Sequence, residues 1–182
     1  MNSPERVDSP ERVDSPEQML ELDYQNPQGY SDIPEKAEIT RWITMACMTT
    51  APCSVSLRIT DKAEARQLNR QYRDKDYATN ILSFPFDPPP VELPVNYLGD
   101  LVLCKEVAEK EAHEQGKPLF DHWAHLIIHG TLHLQGYDHL TDTQAAEMET
   151  LEISLLKKLG IKNPYQTVSM GKHEQHHDTH NE

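Results

Sequence analysis

Apolar and polar residues first alternate at Leu20-Glu-Leu-Asp-Tyr24, and again strictly over Ser54-Val-Ser-Leu-Arg-Ile59. A period of two predicts a strand with one buried face at each place. Asn80–Phe84, closed by Pro85, and Gly99–Cys104 are short apolar runs that predict two further strands. Between them the period changes to that of a helix. Ile39, Trp42, Ile43 and Ala46 share one face of a segment from Pro34 to about Met48, with a proline early, where its missing N–H does no harm. Asp61 is placed to cap a helix that runs through about Tyr72. Glu106–Gln115 reads as a helix stopped by Gly116. Leu119–Gln135 is a long helix, with Trp123, Leu126, Ile127, Leu132 and Leu134 as candidate core contacts. Thr141 or Asp142 caps a last helix to Leu159, ended by Gly160 and then Pro164. Asp87-Pro-Pro-Pro-Val91 is a loop. The elements mix without a clean strand–helix–strand rhythm. They predict an α+β fold, one small sheet of about four strands packed with about five helices.

The periodicity is confined to residues 19–164, which reads as a single domain. Before it, Ser3-Pro-Glu-Arg-Val-Asp8 repeats as Ser9–Asp14 and begins again at Ser15. Prolines and alternating charges cannot bury apolar area, so residues 1–18 read as a disordered tail. Residues 165–182 read as a second tail, rich in histidine through His173, His176, His177 and His180. The tails explain why only 37% of the chain is hydrophobic, against a globular norm of ~45–50%. Ile39–Pro164 holds 13 basic and 17 acidic residues, so most of the net charge of −13 lies outside that span. This balance excludes a protein that holds nucleic acid by bulk positive charge, and leaves room for a local basic strip. Cys47, Cys53 and Cys104 form no CxxC pair and no disulfide framework, which points to a reducing compartment. The N-terminal segment has no apolar core of a signal peptide, and no run approaches 18 apolar residues. A cytoplasmic protein with no membrane partner is the expectation.

The stretch that carries chemistry is His129-Gly-Thr-Leu-His133-Leu-Gln-Gly136-Tyr-Asp-His139. His129 and His133 lie four apart on a helix, so they project from one face and can reach one ion. Gly136 permits the left-handed turn that ends a helix and brings His139 back beside them. Three imidazoles and an open fourth position make a catalytic type of zinc site, one that supplies hydroxide at neutral pH. The metal site is therefore expected at the end of a long helix. His125 and His122 share the face and are either neighbours of the site or helix-surface residues. Asp138 is either a proton-handling group or an ordinary turn residue. The spacing matches the HExxHxxGxxH proteases, except that Gly130 stands where they carry the glutamate base. A protease without that carboxylate lacks the group that moves water's proton to the leaving amine. Phosphodiester cleavage needs the base less, and instead needs a cation against the phosphoryl oxygens.

Arg58, Lys62, Arg66, Arg70 and Arg73 recur at steps of three and four. Lys62, Arg66 and Arg70 fit a solvated helix face. Arg73 sits where the helix ends, and its guanidinium forks onto phosphate.

HGTLHLQGYDH, preceded by HWAHLI, together with LNRQYRDKDYATNILSFPFD and LGDLVLCKEVAEKEAHEQGKP, closely resembles the YbeY family of single-strand endoribonucleases. The resemblance spans roughly Leu20 to Pro164. It implies a small mixed sheet and one zinc ion, or another divalent metal, on His129, His133 and His139. It places the family's functional arginine on Arg73. It further implies action on single-stranded rRNA, at the 3′ end of the small-subunit rRNA, in ribosome maturation and quality control. The implied partners are the small ribosomal subunit and ribosomal proteins. Two other readings stay open. One is a metalloprotease-like hydrolase, weakened by Gly130. The other is an assembly factor with a structural metal, for which Cys104 is the available fourth ligand. Whether water or the RNA 2′-hydroxyl attacks does not follow from the residues.

Overall fold

The computed structural model describes residues 20–166; the SPERVD repeats and the His-rich segment from residue 167 on lie outside the described residues. Nine elements follow in chain order: β1 (Leu20–Gln25), α1 (Lys36–Ala46), β2 (Cys53–Thr60), α2 (Lys62–Arg73), β3 (Ile81–Pro85), β4 (Asn96–Cys104), α3 (Lys105–Glu114), α4 (Leu119–Leu134) and α5 (Asp142–Lys158). Four strands and five helices make the α+β fold that the periodicity predicts. No helix among the described residues is long and apolar enough to cross a membrane.

The sheet has the order β1-β2-β4-β3. β1 runs parallel to β2, and β2 parallel to β4, while β3 returns antiparallel along β4. The sheet is mixed, as the family resemblance implies. The rhythm is more regular than the pattern suggested, because β1–α1–β2 is a parallel crossover. Strict alternation survives in β2, where Cys53, Val55, Leu57 and Ile59 are buried and the residues between them are half exposed.

α4 is the central helix and touches α1, α3, α5, β3 and β4. Trp123, Ile127, Ile128 and Leu132 are fully buried against α1 residues Ile39, Trp42 and Ile43 and the sheet residues Leu57, Leu101 and Leu103. Gly130 lets α4 lie directly on the sheet. A Cβ built there would stand 2.9 Å from both Ile81 Cδ1 and Leu101 Cδ2. Two of the other helices, α2 and α5, begin where side chains satisfy their first N–H groups. Asp61 accepts from the Glu64 N–H (2.9 Å), and Thr141 forms a reciprocal capping box with Gln144.

The strand expected from Gly99 begins earlier, at Asn96. A glycine normally marks a strand boundary. Here it sits inside β4, next to the register shift between Ser54 and Val55, at φ +139°. A Cβ on Gly99 would lie 2.2 Å from the Phe84 carbonyl oxygen, so only glycine lets β3 and β4 close. Gly99→Ala is expected to destabilise the fold by roughly 3 kcal/mol, from backbone strain and a clash that no rotamer relieves. Urea denaturation measures it, and an unchanged midpoint would refute this account of β4.

Candidate metal centre

The helix α4 carries His122, His125, His129 and His133 at steps of three and four, along one face set to the side of the sheet-facing Gly130. It ends in a Schellman turn. The Gly136 N–H donates to the His133 carbonyl (3.1 Å) and the Tyr137 N–H to the Leu132 carbonyl (3.2 Å). Gly136 takes φ +94°, the conformation expected from its place in the motif. The turn swings the chain back so that the His139 ring centroid lies 6.0 Å from that of His129 and 5.1 Å from that of His133. One ligand atom from each of the three histidines falls within 4.8 Å of the others.

The outer nitrogens fix which atoms face inward. His133 Nδ1 lies 2.8 Å from the Tyr137 carbonyl oxygen, which can only accept, so Nδ1 carries the proton. His129 Nδ1 lies 2.7 Å from Glu152 Oε1, and the same reasoning makes it the donor. In the neutral rings both Nε2 atoms hold lone pairs, and they stand 3.0 Å apart. Two lone pairs so close repel unless a cation lies between them. The donor set therefore fits a metal ion held by His129, His133 and His139. Burial pushes the His133 pKa down, which favours the neutral, ligating imidazole.

Glu152 on α5 is the residue that sequence reasoning missed. It has no solvent exposure. Its carboxylate meets His129 Nδ1, His125 Nε2 at 2.7 Å and the Tyr165 hydroxyl at 2.5 Å. Burial alone would raise its pKa. Hydrogen bonds from His125, His129 and Tyr165 outweigh that and hold it at about 2, so the group is ionised. The His125 pKa is pushed down by burial, against the pull of Glu152. His125 thus braces Glu152 and is no bland surface residue. His122 is buried farther along α4, with Nε2 3.7 Å from Glu111 Oε2, and stands outside both His clusters. Asp138 accepts the His139 backbone N–H (2.7 Å), as a turn residue does.

Arg73 ends α2, where Asp74 turns left-handed at φ 57°. Its Nη2 donates to the Ser83 carbonyl (2.6 Å), and its guanidinium carbon lies 5.4 Å over the Phe84 ring. Ser83 Oγ in turn donates to the Gly130 carbonyl (3.2 Å), beside His129. Arg73 is thereby linked through Ser83 to Gly130, the residue after His129 in α4. The other basic residues of the stripe are largely spent. Arg58 pairs with Glu64, Lys62 lies 3.9 Å from Glu106, and Arg66 forks onto Asp76. Cys104, the suggested fourth ligand, is buried at the junction of β4 and α3, and among the described residues it joins neither His cluster.

A model of the family described as Endoribonuclease YbeY matches residues 23–160. Curated relatives with that name include one from Idiomarina loihiensis, 52% identical over 152 residues, covering 81% of this chain and 93% of the relative. Another, from Pseudomonas putida, is 53% identical over 148 residues, covering 81% of this chain and 94% of the relative. A third, from Colwellia psychrerythraea, is 50% identical over 150 residues, covering 79% and 96%. A solution structure of TM1509 from Thermotoga maritima aligns with a TM-score of 0.51 at 20% identity, over 77% of this chain and 88% of that one, and shares the fold. With a family match across most of the folded region and identity above 50% to named relatives, the chain belongs to the YbeY endoribonuclease family.

Proposed function

We propose that this chain is a zinc-dependent endoribonuclease that cleaves single-stranded RNA. The observation that carries this reading is the convergence of His129, His133 and His139 at the end of α4, with Arg73 held on β3, the strand whose Ser83 hydrogen-bonds to α4. The family resemblance supports the finer assignment: cytoplasmic maturation of the 3′ end of small-subunit rRNA and ribosome quality control, with ribosomal proteins of that subunit as partners. Three free thiols suit a reducing compartment.

His129, His133 and His139 would hold the ion. When bound, a divalent ion such as zinc supplies Lewis acidity toward phosphate oxygens and lowers the pKa of water at its open position. The protein's own groups supply the rest. Glu152 and the Tyr137 carbonyl hold the His129 and His133 rings in one tautomer and one orientation. Arg73 presents a forked cation to phosphoryl oxygens, and its contacts with Ser83 and Phe84 restrict the arc through which it swings. Gly130 offers no base, and a glutamate there would have to enter the packed space between Ile81 and Leu101. A peptide bond, whose amine leaving group needs a proton, is poorly served by such a site. A phosphodiester, whose need is charge neutralisation, is well served.

Cleavage of a labelled single-stranded RNA carrying the small-subunit 3′ end tests the reading. Wild type cuts it, and a chelator stops the cut. Arg73→Glu loses about 10²-fold or more in rate while keeping its metal by mass spectrometry. His133→Ala loses both metal and cleavage, and a His133→Ala protein that kept both would overturn the assignment. The role given to Glu152 has its own measurement. Glu152→Gln weakens zinc affinity by about 10- to 100-fold in a chelator competition. Tyr165→Phe, which leaves the carboxylate and both imidazole bonds in place, costs less than tenfold by roughly the same reasoning. Equal affinities for Glu152→Gln and wild type would show that the carboxylate only packs.

A further inference from the structure

Cys47 and Cys53, separated by the five-residue loop Met48–Pro52, stand with their Sγ atoms 3.5 Å from each other. Cys47 ends α1, where its N–H donates to the Ile43 carbonyl (3.0 Å). Cys53 opens β2 and pairs in register with Leu20 of β1. Both ends are therefore fixed by secondary structure, and the exposed segment from Met48 to Pro52 is what joins them. The two sulfurs share the wall of a cleft with Thr44, Thr49 and Thr50, so a small reagent can reach them from solvent. Cys104 lies elsewhere, at the start of α3. We propose that Cys47 and Cys53 are a modification site, an intrachain disulfide that forms when a hydroperoxide reaches the cleft.

The chemistry balances with the peroxide as oxidant. One thiolate attacks a peroxide oxygen, the O–O bond breaks, a sulfenic acid forms, and the other peroxide oxygen leaves as hydroxide or alkoxide and takes up a proton. The second thiol, as its thiolate, attacks the sulfenic sulfur, forms the S–S bond and displaces the hydroxyl, which leaves as water with that thiol's proton. Two electrons pass from the two sulfurs to the peroxide. Cys53 suits the first role, because the neighbouring Cys47 S–H lowers its pKa, whereas the same bond and burial raise that of Cys47.

The bridge would act on the candidate metal centre through one side chain. Gln135, which caps α4 two residues after His133, accepts the Met48 N–H at Oε1 (2.7 Å) and donates from Nε2 to the Ala46 carbonyl (2.7 Å) and the Thr131 carbonyl (3.1 Å). Cys47 lies between the two residues that Gln135 clasps. Bond formation needs the sulfurs about 1.5 Å nearer, and the movement falls on this clasp.

Treating the full chain with hydrogen peroxide, alkylating under denaturing conditions and digesting with trypsin tests the site. Both cysteines fall in one peptide, Trp42–Arg58, between Arg41 and the cleavage after Arg58. That peptide should escape alkylation, weigh about 2 Da less than its dithiol form, and recover on reduction with dithiothreitol. Cys104 should remain alkylated. Full alkylation of Cys47 and Cys53 after peroxide, or sulfinic acid on Cys47 beside an intact Cys53 thiol, would overturn the site. Hydrogen exchange tests the coupling. The Met48 amide should exchange about tenfold faster in the bridged protein, and not in peroxide-treated Cys47→Ser/Cys53→Ser. A bridge with unchanged exchange would overturn the link to α4. Neither readout depends on RNA cleavage, so the result stands apart from the proposed activity.

Discussion

A carboxylate without solvent exposure is the constraint on which the rest of this structure turns. Left unpaired, the buried Glu152 would cost several kcal/mol. It is met by three donors from two other parts of the chain, His125 and His129 on α4 and Tyr165 beyond α5. Met148, Leu155 and Leu156 bury the same face of α5. Apolar burial draws α5 onto α4 without choosing a height, since a slide of one turn, ~5.4 Å, presents similar oily surface. The carboxylate chooses. At the observed height both its oxygens are met, by His125 and His129 of α4 and by the Tyr165 hydroxyl. The interaction that sets the helix register also sets the His129 tautomer, so packing and ligand chemistry rest on one group.

Much of this was legible in the sequence, and what was not failed for physical reasons. His129, His133 and His139 were legible because a four-residue step and a glycine turn are local geometry, independent of what packs around them. The helices were legible for the same reason, with Asp61 and Thr141 capping where expected. Glu152 was hidden because an acid within a helix reads as its solvent side. The available signal was its place in the apolar stripe of Met148, Leu155 and Leu156. Tyr165 was hidden because Gly160 and Pro164 end the helix, and the expected tail was drawn from the next residue. Its link to Glu152 is a long-range contact that no local pattern encodes.

Three other features escaped for a related reason. Gly99 reads as a boundary because a glycine costs a strand entropy, yet β4 needs it where the Phe84 carbonyl crowds the backbone. The cysteines at 47 and 53 lack the CxxC spacing, and only the return of the chain from α1 into β2 brings their sulfurs together. Parallel strand pairing had no sequence signal either, because β1 and β2 show the alternation of half-exposed strands rather than the continuous apolar runs of a doubly covered sheet.

Gly130 decides between the two hydrolytic chemistries that share this histidine spacing. A single helix presents different faces to the sheet and to α5, and position 130 falls on the sheet side. Its lack of a side chain lets α4 approach β3 and β4, with Ser83 hydrogen-bonded to its carbonyl. That close approach carries β3 to the level of His129, and β3 in turn holds Arg73 through Ser83 and Phe84. The absence of the glutamate that a peptidase needs and the linkage of Arg73 through Ser83 to α4 thus both follow from the packing at Gly130. A larger residue at 130 would push β3 away and take Arg73 with it. The site gives up a proton carrier and gains a cation, which is the exchange that favours a phosphodiester over an amide.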